Sequence, residues 1–431
     1  MSGRDLRGLT PSQAEEYLLS LELFGMRFGL DRMHRLMTVL GLPQRRFASI
    51  HVVGSNGKSS TVRFCAAILE RHGLRTGSYT SPHLRSFRER IEVGETPVSE
   101  ADFAAAVTRA AQAAELVNRT AEPDDHVTQF EALTAAAYHE LARRGVEVAV
   151  IEAGLGGRFD ATNVIPSKVQ VLTSVSLEHT RWLGPTLTDI AGEKLAVVQD
   201  DGTLVVGPVP HAVFAIAQRV AADRRARLVS TAGGRLPAAG TLRADQIPLR
   251  AAGRFQHGNF ALAAAASEAF LGGPLDERAL RAAAAETVIP GRLEAVDERP
   301  LTLFDGAHNP SGAHALAASL PDVFGSRRPR VAVIGVLEDK DAAGMLESLL
   351  PQLDRVVFTK PANPRSLSPA TLVTLAEKLG GPPHETVPVP QAALARAREL
   401  AGLDGAVLAT GSIYLIADLV REDAGARAST L

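Results

Sequence analysis

A glycine-flanked turn between an apolar strand and a helix constrains the fold of this chain more than any other stretch. A short apolar run ends at Val53, and the residues from Val62 to Arg71 have the pattern of a helix that Gly73 ends. The turn between them contains Gly54-Ser55-Asn56-Gly57-Lys58-Ser59-Ser60. Strand, glycine-rich turn and helix in this order are typical of a phosphate-binding loop, because backbone N–H groups and a helix N-terminus attract anions. We therefore predict that this loop binds phosphate groups and that Lys58 adds a full positive charge.

The spacing of the loop departs from the usual phosphate-loop pattern. That pattern has a glycine five positions before the Gly-Lys pair, but Val52 stands there and Gly54 follows two residues later. The loop is therefore a tighter variant, in which a hydroxyl of Ser59 or Ser60 is available to a Mg2+ ion. The competing interpretation is a plain strand–turn–helix connection with a surface lysine.

The composition is that of an ordinary globular protein without an excess of charge. The 431 residues carry a formal net charge of −2, and Cys65 is the single cysteine, which excludes an internal disulfide. A chain of this length is expected to form two domains. The polar residues 1–10 lack the apolar core of a signal peptide, and no uncharged apolar run approaches the ~20 residues of a membrane span. We expect a soluble, cytoplasmic protein that binds neither nucleic acid nor a membrane surface.

Three later strands are expected to end beside residues that bind cations. Ser81 follows a short second strand, Glu152 ends the apolar run from Val146, and His179 follows the run Val169–Val175. Because ligands of a parallel sheet collect beyond the carboxyl ends of its strands, these three residues are candidate Mg2+ ligands. The competing interpretations are a turn or helix-cap acid for Glu152 and a structural hydrogen bond for His179.

The last third of the chain shows a regular alternation of strands and helices. Short apolar runs over 301–304, 330–336, 356–359, 385–389 and 405–410 are separated by segments of helical pattern. This alternation predicts a second parallel sheet with helices on both faces. The pattern changes around Ile289-Pro290-Gly291-Arg292, where we place a linker. The predicted fold class is therefore α/β, with two domains.

Nine stretches occur together in one order, from about Tyr17 to Val420. They are the loop Gly54-Ser55-Asn56-Gly57-Lys58, Thr80-Ser81-Pro82-His83-Leu84, Glu89-Arg90-Ile91, the run from Glu152 to Asn163, Leu177-Glu178-His179-Thr180, Ile190-Ala191-Gly192-Glu193-Lys194, Pro290-Gly291-Arg292, Asp305-Gly306-Ala307-His308-Asn309-Pro310 and Thr410-Gly411-Ser412-Ile413-Tyr414. In this combination the chain resembles the dihydrofolate synthase/folylpolyglutamate synthase family of the Mur ligase superfamily, whose phosphate loop is also shortened.

The resemblance implies an N-terminal phosphate-loop ATPase domain with a mainly parallel sheet and a smaller, Rossmann-like C-terminal α/β domain. We expect residues 1–289 to form the ATP- and folate-binding domain, 290–297 the linker, and 298–431 the glutamate-ligase domain. The family couples ATP hydrolysis to an amide bond between a folate carboxylate and L-glutamate. A carboxylate is a poor acyl donor, so the expected intermediate is an acyl phosphate, and ADP and phosphate are released.

The resemblance also assigns roles to individual residues. Expected ATP contacts are Gly54, Ser55, Asn56, Gly57, Lys58, Ser59, Ser60, Asn259, Arg292 and Asp305. Two Mg2+ ions are expected, with Ser81, Glu152, His179 and a carbamylated Lys194 as ligands. Expected contacts of L-glutamate are Arg90, His308 and Ser412, and those of the folate are Phe28, Gly29, Thr128, Phe130, Asp160 and Ala161. Lys58, Lys194 and His308 are the expected catalytic residues.

Ser55, Ser59 and Glu178 replace a threonine, a glycine and an aspartate that are commoner in the family, which are small changes of like chemistry. One alternative is an enzyme that only extends polyglutamate tails, and another is a different Mur-type amide ligase. A nucleotide-binding switch is disfavoured, because Asp339-Lys340-Asp341 lacks the asparagine of the guanine-reading Asn-Lys-x-Asp motif. The residues leave open whether dihydropteroate as well as reduced folate is a substrate, and whether a monovalent cation is needed. We expect a monomer.

Overall fold

Two sheets with helices packed against them organise the chain. The structure, a computed structural model, describes residues 8–21, 29–122, 125–232 and 244–421. Within these ranges, an eight-stranded sheet contains β1 Ala48–Val53, β2 Thr76–Tyr79, β3 Ile91–Val93, β4 Thr96–Pro97, β5 Val148–Glu152, β6 Val169–Leu172, β7 Thr203–Val206 and β8 Arg227–Ser230, in the order β4-β3-β2-β5-β1-β6-β7-β8. A six-stranded sheet contains β9 Glu294–Glu298, β10 Leu301–Phe304, β11 Arg330–Ile334, β12 Arg355–Phe358, β13 His384–Thr386 and β14 Ala406–Thr410, in the order β13-β12-β11-β14-β10-β9.

The helices of the described part lie before, between and after the strands, and from β10 onward they alternate with strands as the sequence predicts. They are α1 Pro11–Ser20, α2 Asp31–Val39, α3 Lys58–Arg71, α4 Glu100–Asn118, α5 Gln129–Arg143, α6 Thr180–Leu183, α7 Leu187–Leu195, α8 His211–Asp223, α9 Arg254–Leu271, α10 Glu277–Glu286, α11 Pro310–Phe324, α12 Ala342–Leu349, α13 Pro369–Lys378, α14 Pro390–Ala401 and α15 Ile413–Val420. None of the helices in these ranges is both long enough and apolar enough to cross a membrane.

β1 occupies the middle of the first sheet, with parallel neighbours β5 and β6 on either side. Ile50 and Val52 belong to one apolar cluster with Phe64 of α3 and Phe260 of α9. The two phenylalanine rings meet edge to face, with their centroids 5.2 Å apart. A strand that is covered on both faces needs a nearly continuous apolar sequence, which explains the run that ends at Val53.

The parallel arrangement decides where a ligand can bind. β1, β2, β5, β6, β7 and β8 run parallel, so their carboxyl ends lie at one edge of the first sheet. β10, β11, β12, β13 and β14 are likewise parallel in the second sheet. The loops beyond these ends carry most of the predicted site residues.

The structure corrects several local predictions. β9 pairs antiparallel with β10, and β3 and β4 add an antiparallel edge to the first sheet. Capping boxes begin two of the helices: Thr10 with Gln13 at α1, and Thr128 with Glu131 at α5.

The domain boundaries at 289 and 298 stay a prediction. β8 ends at Ser230 and β9 begins at Glu294, so the second sheet includes residues that the prediction gave to the linker.

We expect the second sheet to depend on the apolar contacts of α12. Leu346 is fully buried in the cluster between α11, α12 and the sheet. Leu346→Ala should lower the free energy of unfolding by about 2–5 kcal/mol, because it removes apolar contacts and leaves a cavity. Denaturant unfolding followed by circular dichroism measures this change. Leu403→Ala is the control, since Leu403 is 65% exposed; a similar loss in both variants would contradict the prediction.

Candidate active site

One cleft of about 1130 Å3 lies at the carboxyl ends of the strands of both sheets. It brings together most of the residues predicted for ATP, metal, folate and glutamate. Those that line it are Gly29, Ser55, Asn56, Gly57, Lys58, Ser59, Ser60, Ser81, Thr128, Phe130, Glu152, Asp160, Ala161, His179, Lys194, Asn259, Arg292, Asp305, His308 and Ser412. Gly54 and Arg90 are not part of the lining, and Phe28 lies outside the described residues.

The phosphate loop is held by hydroxyl groups at the end of β6. Thr173 Oγ1 donates to the carbonyl of Asn56 at 2.6 Å, and the N–H of Asn56 donates to Ser174 Oγ at 2.9 Å. Gly54 has φ +151° and Gly57 has φ +83°, which are backbone conformations that favour glycine. A Cβ on Gly54 would lie 1.9 Å from Thr173 Oγ1. The tight loop therefore needs glycine at Gly54 for space as well as for conformation.

Two lysines meet at the carbonyl of Gly54. Lys58 Nζ donates to this oxygen at 3.1 Å and to the carbonyl of Ser55 at 3.3 Å. Lys194 Nζ, from α7, donates to the same Gly54 oxygen at 2.8 Å. Gly54 itself does not line the cleft, but its carbonyl accepts hydrogen bonds from two lysines that do.

Lys194 also forms a buried ion pair that the sequence analysis missed. Its Nζ lies 3.3 Å from Glu178 Oε1. Burial lowers the pKa of Lys194 to about 8, although Glu178 opposes the shift. Burial raises the pKa of Glu178, but Lys194 and Lys58 outweigh it and lower that pKa to about 2. Glu178 directly precedes His179 in a motif that resembles the family. Its role as the ion-pair partner of Lys194 is visible only in the structure.

Glu152 ends β5 inside the cleft, where its carboxylate accepts two hydrogen bonds. Ser59 Oγ donates to Oε1 at 3.1 Å, and the N–H of Ser81 donates to Oε2 at 3.2 Å. Burial raises the pKa of Glu152, and the charge of Lys58 opposes this most. The acid therefore joins the ends of β2 and β5 to the first turn of α3.

The donor set near Glu152 suits a Mg2+ ion that also binds nucleotide phosphates. Mg2+ prefers oxygen ligands and usually keeps waters or substrate phosphates in its octahedron. Ser59 and Glu152 supply a hydroxyl and a carboxylate oxygen 3.1 Å apart, and the backbone N–H of Ser81 contacts the same carboxylate. No group of three or more His, Cys, Asp or Glu side chains in metal-binding arrangement occurs in the described part of the chain. A Mg2+ ion bound here would therefore take its remaining ligands from water or from a phosphate group.

His179 and His308 both line the cleft, and both are neutral near pH 7. Burial lowers the pKa of each to about 4, and the ammonium of Lys340 is the next cause in both cases. His308 Nδ1 lies 2.9 Å from the carbonyl of Gly306. Because a carbonyl only accepts, Nδ1 carries the proton and Nε2 remains an acceptor. Lys340 lines the cleft too and was not predicted as a site residue.

The ATP contacts predicted in the second half of the chain lie directly after β10, just before β9 and in the first turns of α9. Asp305 accepts hydrogen bonds from the N–H groups of Leu293 at 2.9 Å and Ala307 at 2.8 Å. Arg292 Nη1 donates to the carbonyl of Gly291 at 3.0 Å. Asn259 Nδ2 donates to Gln256 Oε1 at 2.9 Å within α9.

Among the residues predicted to contact the folate and their neighbours, the carboxylates of Asp160 and Glu131 accept hydrogen bonds from the protein itself. Asp160 accepts from the N–H groups of Leu155 at 2.8 Å and Thr162 at 3.0 Å. The hydroxyl of Thr128 donates to Glu131 Oε2 at 3.0 Å. Phe130 lies so close to Gly154 that a Cβ there would be 2.6 Å from its ring. Phe130 therefore presents its ring to the cleft, while Asp160 shapes the loop beside it.

The structure does not bring Arg90 to the cleft. Arg90 is 1% exposed, its Nε donates to His83 Nδ1 at 3.1 Å, and its guanidinium lies 5.3 Å from the centre of the Phe87 ring. The spacing of residues in the sequence could not predict that Arg90 is buried. Its burial results from the short 3-10 helix Phe87–Arg90. Ser412 does line the cleft, and its hydroxyl caps α15 by accepting from the N–H of Tyr414 at 3.1 Å.

A pair of asparagines connects the two halves of the cleft. Asn309 Nδ2 donates to Asn56 Oδ1 at 3.0 Å, and Asn56 Nδ2 donates to Asn309 Oδ1 at 3.3 Å. Asn309 is also the N-cap of α11, through the N–H of Gly312 at 2.7 Å. Asn309 had no predicted role beyond its motif. Its position directly before Pro310 was a sequence signal for a helix N-cap, because proline is common at the first position of a helix.

Comparison with known proteins agrees with this geometry. A family model described as Mur ligase, glutamate ligase domain, matches residues 291–413. The dihydrofolate synthase/folylpolyglutamate synthase of Mycobacterium tuberculosis is 38% identical over 384 residues, which are 82% of this chain and 78% of that protein. A structure of Mycobacterium tuberculosis folylpolyglutamate synthase complexed with ADP has a TM-score of 0.87 at 33% identity and covers 96% of this chain and 98% of the other. E. coli FolC in complex with DHPP and ADP has a TM-score of 0.84 at 30% identity, over 96% and 97% of the chains.

We expect Gly54→Ala to weaken ADP binding by at least ~10-fold. The added Cβ would collide with Thr173 Oγ1 and strain the loop backbone, and strain of this kind costs on the order of 1–3 kcal/mol. Titration calorimetry with ADP measures the affinity. Gly273→Ala is the matched control, because a Cβ there has no neighbour within 4 Å. Equal affinities in the two variants would contradict the assignment of the loop.

Proposed function

The chain belongs to the dihydrofolate synthase/folylpolyglutamate synthase family, and we propose from this premise how its cleft forms the amide bond. The protein is an ATP-dependent ligase that joins a folate carboxylate to L-glutamate. The assignment of residues is supported best by the fact that one cleft is lined by residues predicted for all three substrates. The phosphate loop, the folate loop after β5 and the motif from Asp305 to Asn309 all line it, so three substrates have adjoining places.

In the first step, a folate carboxylate oxygen attacks the γ-phosphorus of ATP. The products are an acyl phosphate and ADP. The N–H groups of the loop, the N-terminus of α3 and Lys58 neutralise the phosphate charge. Lys58 is already held at the loop by the carbonyls of Gly54 and Ser55, so it needs little reorganisation to reach a phosphate oxygen. Arg292 and Asp305 hold the nucleotide from the second sheet.

In the second step, the amine of L-glutamate attacks the carbonyl carbon of the acyl phosphate. A tetrahedral intermediate forms, the carbon–oxygen bond to phosphate breaks, and the released phosphate takes up the proton that the amine nitrogen loses as the amide forms. His308 Nε2, which lacks a proton, accepts a hydrogen bond from the attacking amine. With a pKa of about 4, His308 orients the amine and is not a strong base. Lys58 and Lys340 stabilise the negative charge that develops on oxygen.

Ser81, Glu152 and His179 would hold a Mg2+ ion at this site. Bound there, it would neutralise phosphate charge and orient the γ-phosphate for in-line transfer. Of the four predicted ligands, Glu152 and Ser81 have the oxygen chemistry that the ion prefers. A second ion would need an anion at Lys194.

We propose that carbamylation of Lys194 supplies that anion. With a pKa of about 8, about a tenth of Lys194 is neutral near pH 7 and able to attack CO2, with loss of one proton. A crystal structure with ADP and Mg2+ should show the carbamate in the electron density. A bare ammonium in a site with both metals bound would contradict this proposal.

We further propose that dihydropteroate and reduced folyl-glutamates are both substrates, as the name of the Mycobacterium tuberculosis relative indicates for that protein. The protein should release phosphate from ATP and Mg2+ with L-glutamate and either folate, and mass spectrometry should detect the glutamylated products. Turnover with tetrahydrofolate but not with dihydropteroate would indicate an enzyme that only extends polyglutamate tails. Activity on another acid and amine, without folate turnover, would indicate a different Mur-type ligase.

Lys58→Met should reduce folate-dependent phosphate release by ~100-fold or more. The variant keeps the length of the side chain but removes the charge at the phosphates, and one such donor is typically worth ~10²–10³ in kcat. Lys378→Met is the control, because Lys378 is exposed in the last turn of α13, away from the cleft. If Lys58→Met keeps more than about a tenth of the activity, the role of Lys58 is wrong.

A further inference from the structure

His51 is a buried histidine in the middle of the first sheet that the proposed reaction does not use. It lies on β1 between Ile151 of β5 and Gln170 of β6, and no part of it is exposed. Burial lowers the pKa of His51 to about 3, so the ring is neutral near pH 7. Among the described residues its one hydrogen-bond partner is Thr162, whose Oγ1 lies 2.8 Å from Nε2.

The hydrogen bonds around Thr162 have a single consistent direction. The N–H of Thr162, the N–H of Leu155 and the hydroxyl of Thr162 all donate to the carboxylate of Asp160, as is expected of an ionised acid. The hydroxyl has one proton, which Asp160 receives. Thr162 Oγ1 must therefore accept from His51, so His51 carries its proton on Nε2.

This chain of bonds runs from the centre of the sheet to the folate end of the cleft. Asp160 caps the 3-10 helix Ala161–Val164 and is itself part of the cleft lining. Oδ2 of Asp160 accepts a hydrogen bond from the N–H of Leu155, near the start of the loop after β5. Tyr138 fixes Thr162 from the opposite side, since its hydroxyl donates to the carbonyl of Thr162 at 2.9 Å.

We propose that His51 is a positioning residue for the folate substrate, which acts through Thr162 and Asp160 on the shape of the loop after β5. The inference rests on the proposed function, because it concerns the folate end of the same cleft. His51 itself is not part of the cleft lining.

Stability alone does not explain a histidine at this position. Nδ1 of His51 is buried, and within the described residues it has no hydrogen-bond partner. An unpaired buried nitrogen disfavours folding, and an apolar side chain of similar volume would avoid this cost. What the histidine adds is a fixed N–H donor to Thr162 Oγ1, which stops the threonine hydroxyl from turning away from Asp160.

Two pairs of variants test the inference. His51→Leu and Thr162→Val remove the donor or the hydroxyl at nearly constant volume, whereas His51→Gln and Thr162→Ser retain one. Steady-state kinetics should give a KM for the folate that rises ~5- to 10-fold in the first two, the effect typical of one lost hydrogen bond. The KM for ATP, the affinity for ADP and kcat should change less than ~2-fold. The Gln and Ser variants should restore the folate KM to within ~3-fold.

An unchanged folate KM in both depleted variants would overturn the inference, and so would an equal rise of the KM for ATP. If His51→Leu fails to bind ADP and is therefore misfolded, the Thr162 pair decides by the same criterion. Absence of folate-dependent turnover in the unchanged protein would overturn the proposed function and this inference together. Turnover with an unaltered folate KM in the variants would overturn the inference alone.

Discussion

In the protein with unmodified Lys194, the buried contact between its ammonium group, the carbonyl of Gly54 and Glu178 is the interaction on which the rest of the site depends. It connects α7 to the phosphate loop, and Glu178 Oε2 in turn accepts from Asn309 Nδ2 of the second half at 3.5 Å. An ion pair that is taken out of water is costly to break, because the remaining charge stays buried without a partner. Loop, helix and second sheet are therefore held together by one network of charges and amides.

The charges of the cleft are arranged for anionic substrates. The carboxylates of Glu152 and Asp305 are engaged by N–H or hydroxyl groups, and Glu178 is paired with Lys194. Lys58 and Lys340 face the same space, and the two cleft histidines are neutral. Triphosphate and carboxylate groups bring the negative charge that such a cleft attracts. Burial and, next, the charge of Lys340 lower the pKa values of His179 and His308, which keeps both rings available as acceptors.

Many elements of the fold could be predicted from local pattern. The run to Val53, the glycines of the loop and the helix after it obey short-range rules, and the structure confirms a phosphate-loop geometry there. The antiparallel strand β9 was missed, because Glu294–Glu298 is mostly polar and lies at the edge of its sheet. Arg90 was expected to contact L-glutamate, but it is not part of the cleft lining; its guanidinium packs against Phe87, and its Nε donates to His83.

By itself, the sequence determined the order of strands and helices, the position of the phosphate loop and the residue types available for its chemistry, since these depend on neighbours along the chain. The tertiary structure decided which of those residues meet. Asn56 and Asn309 are separated by 253 positions, and Lys194 reaches Gly54 across 140. Contacts of this kind arise when parallel strands bring their carboxyl ends to one edge and two sheets face one cleft. No local pattern encodes them, because the distance between two side chains then depends on the packing of the whole fold.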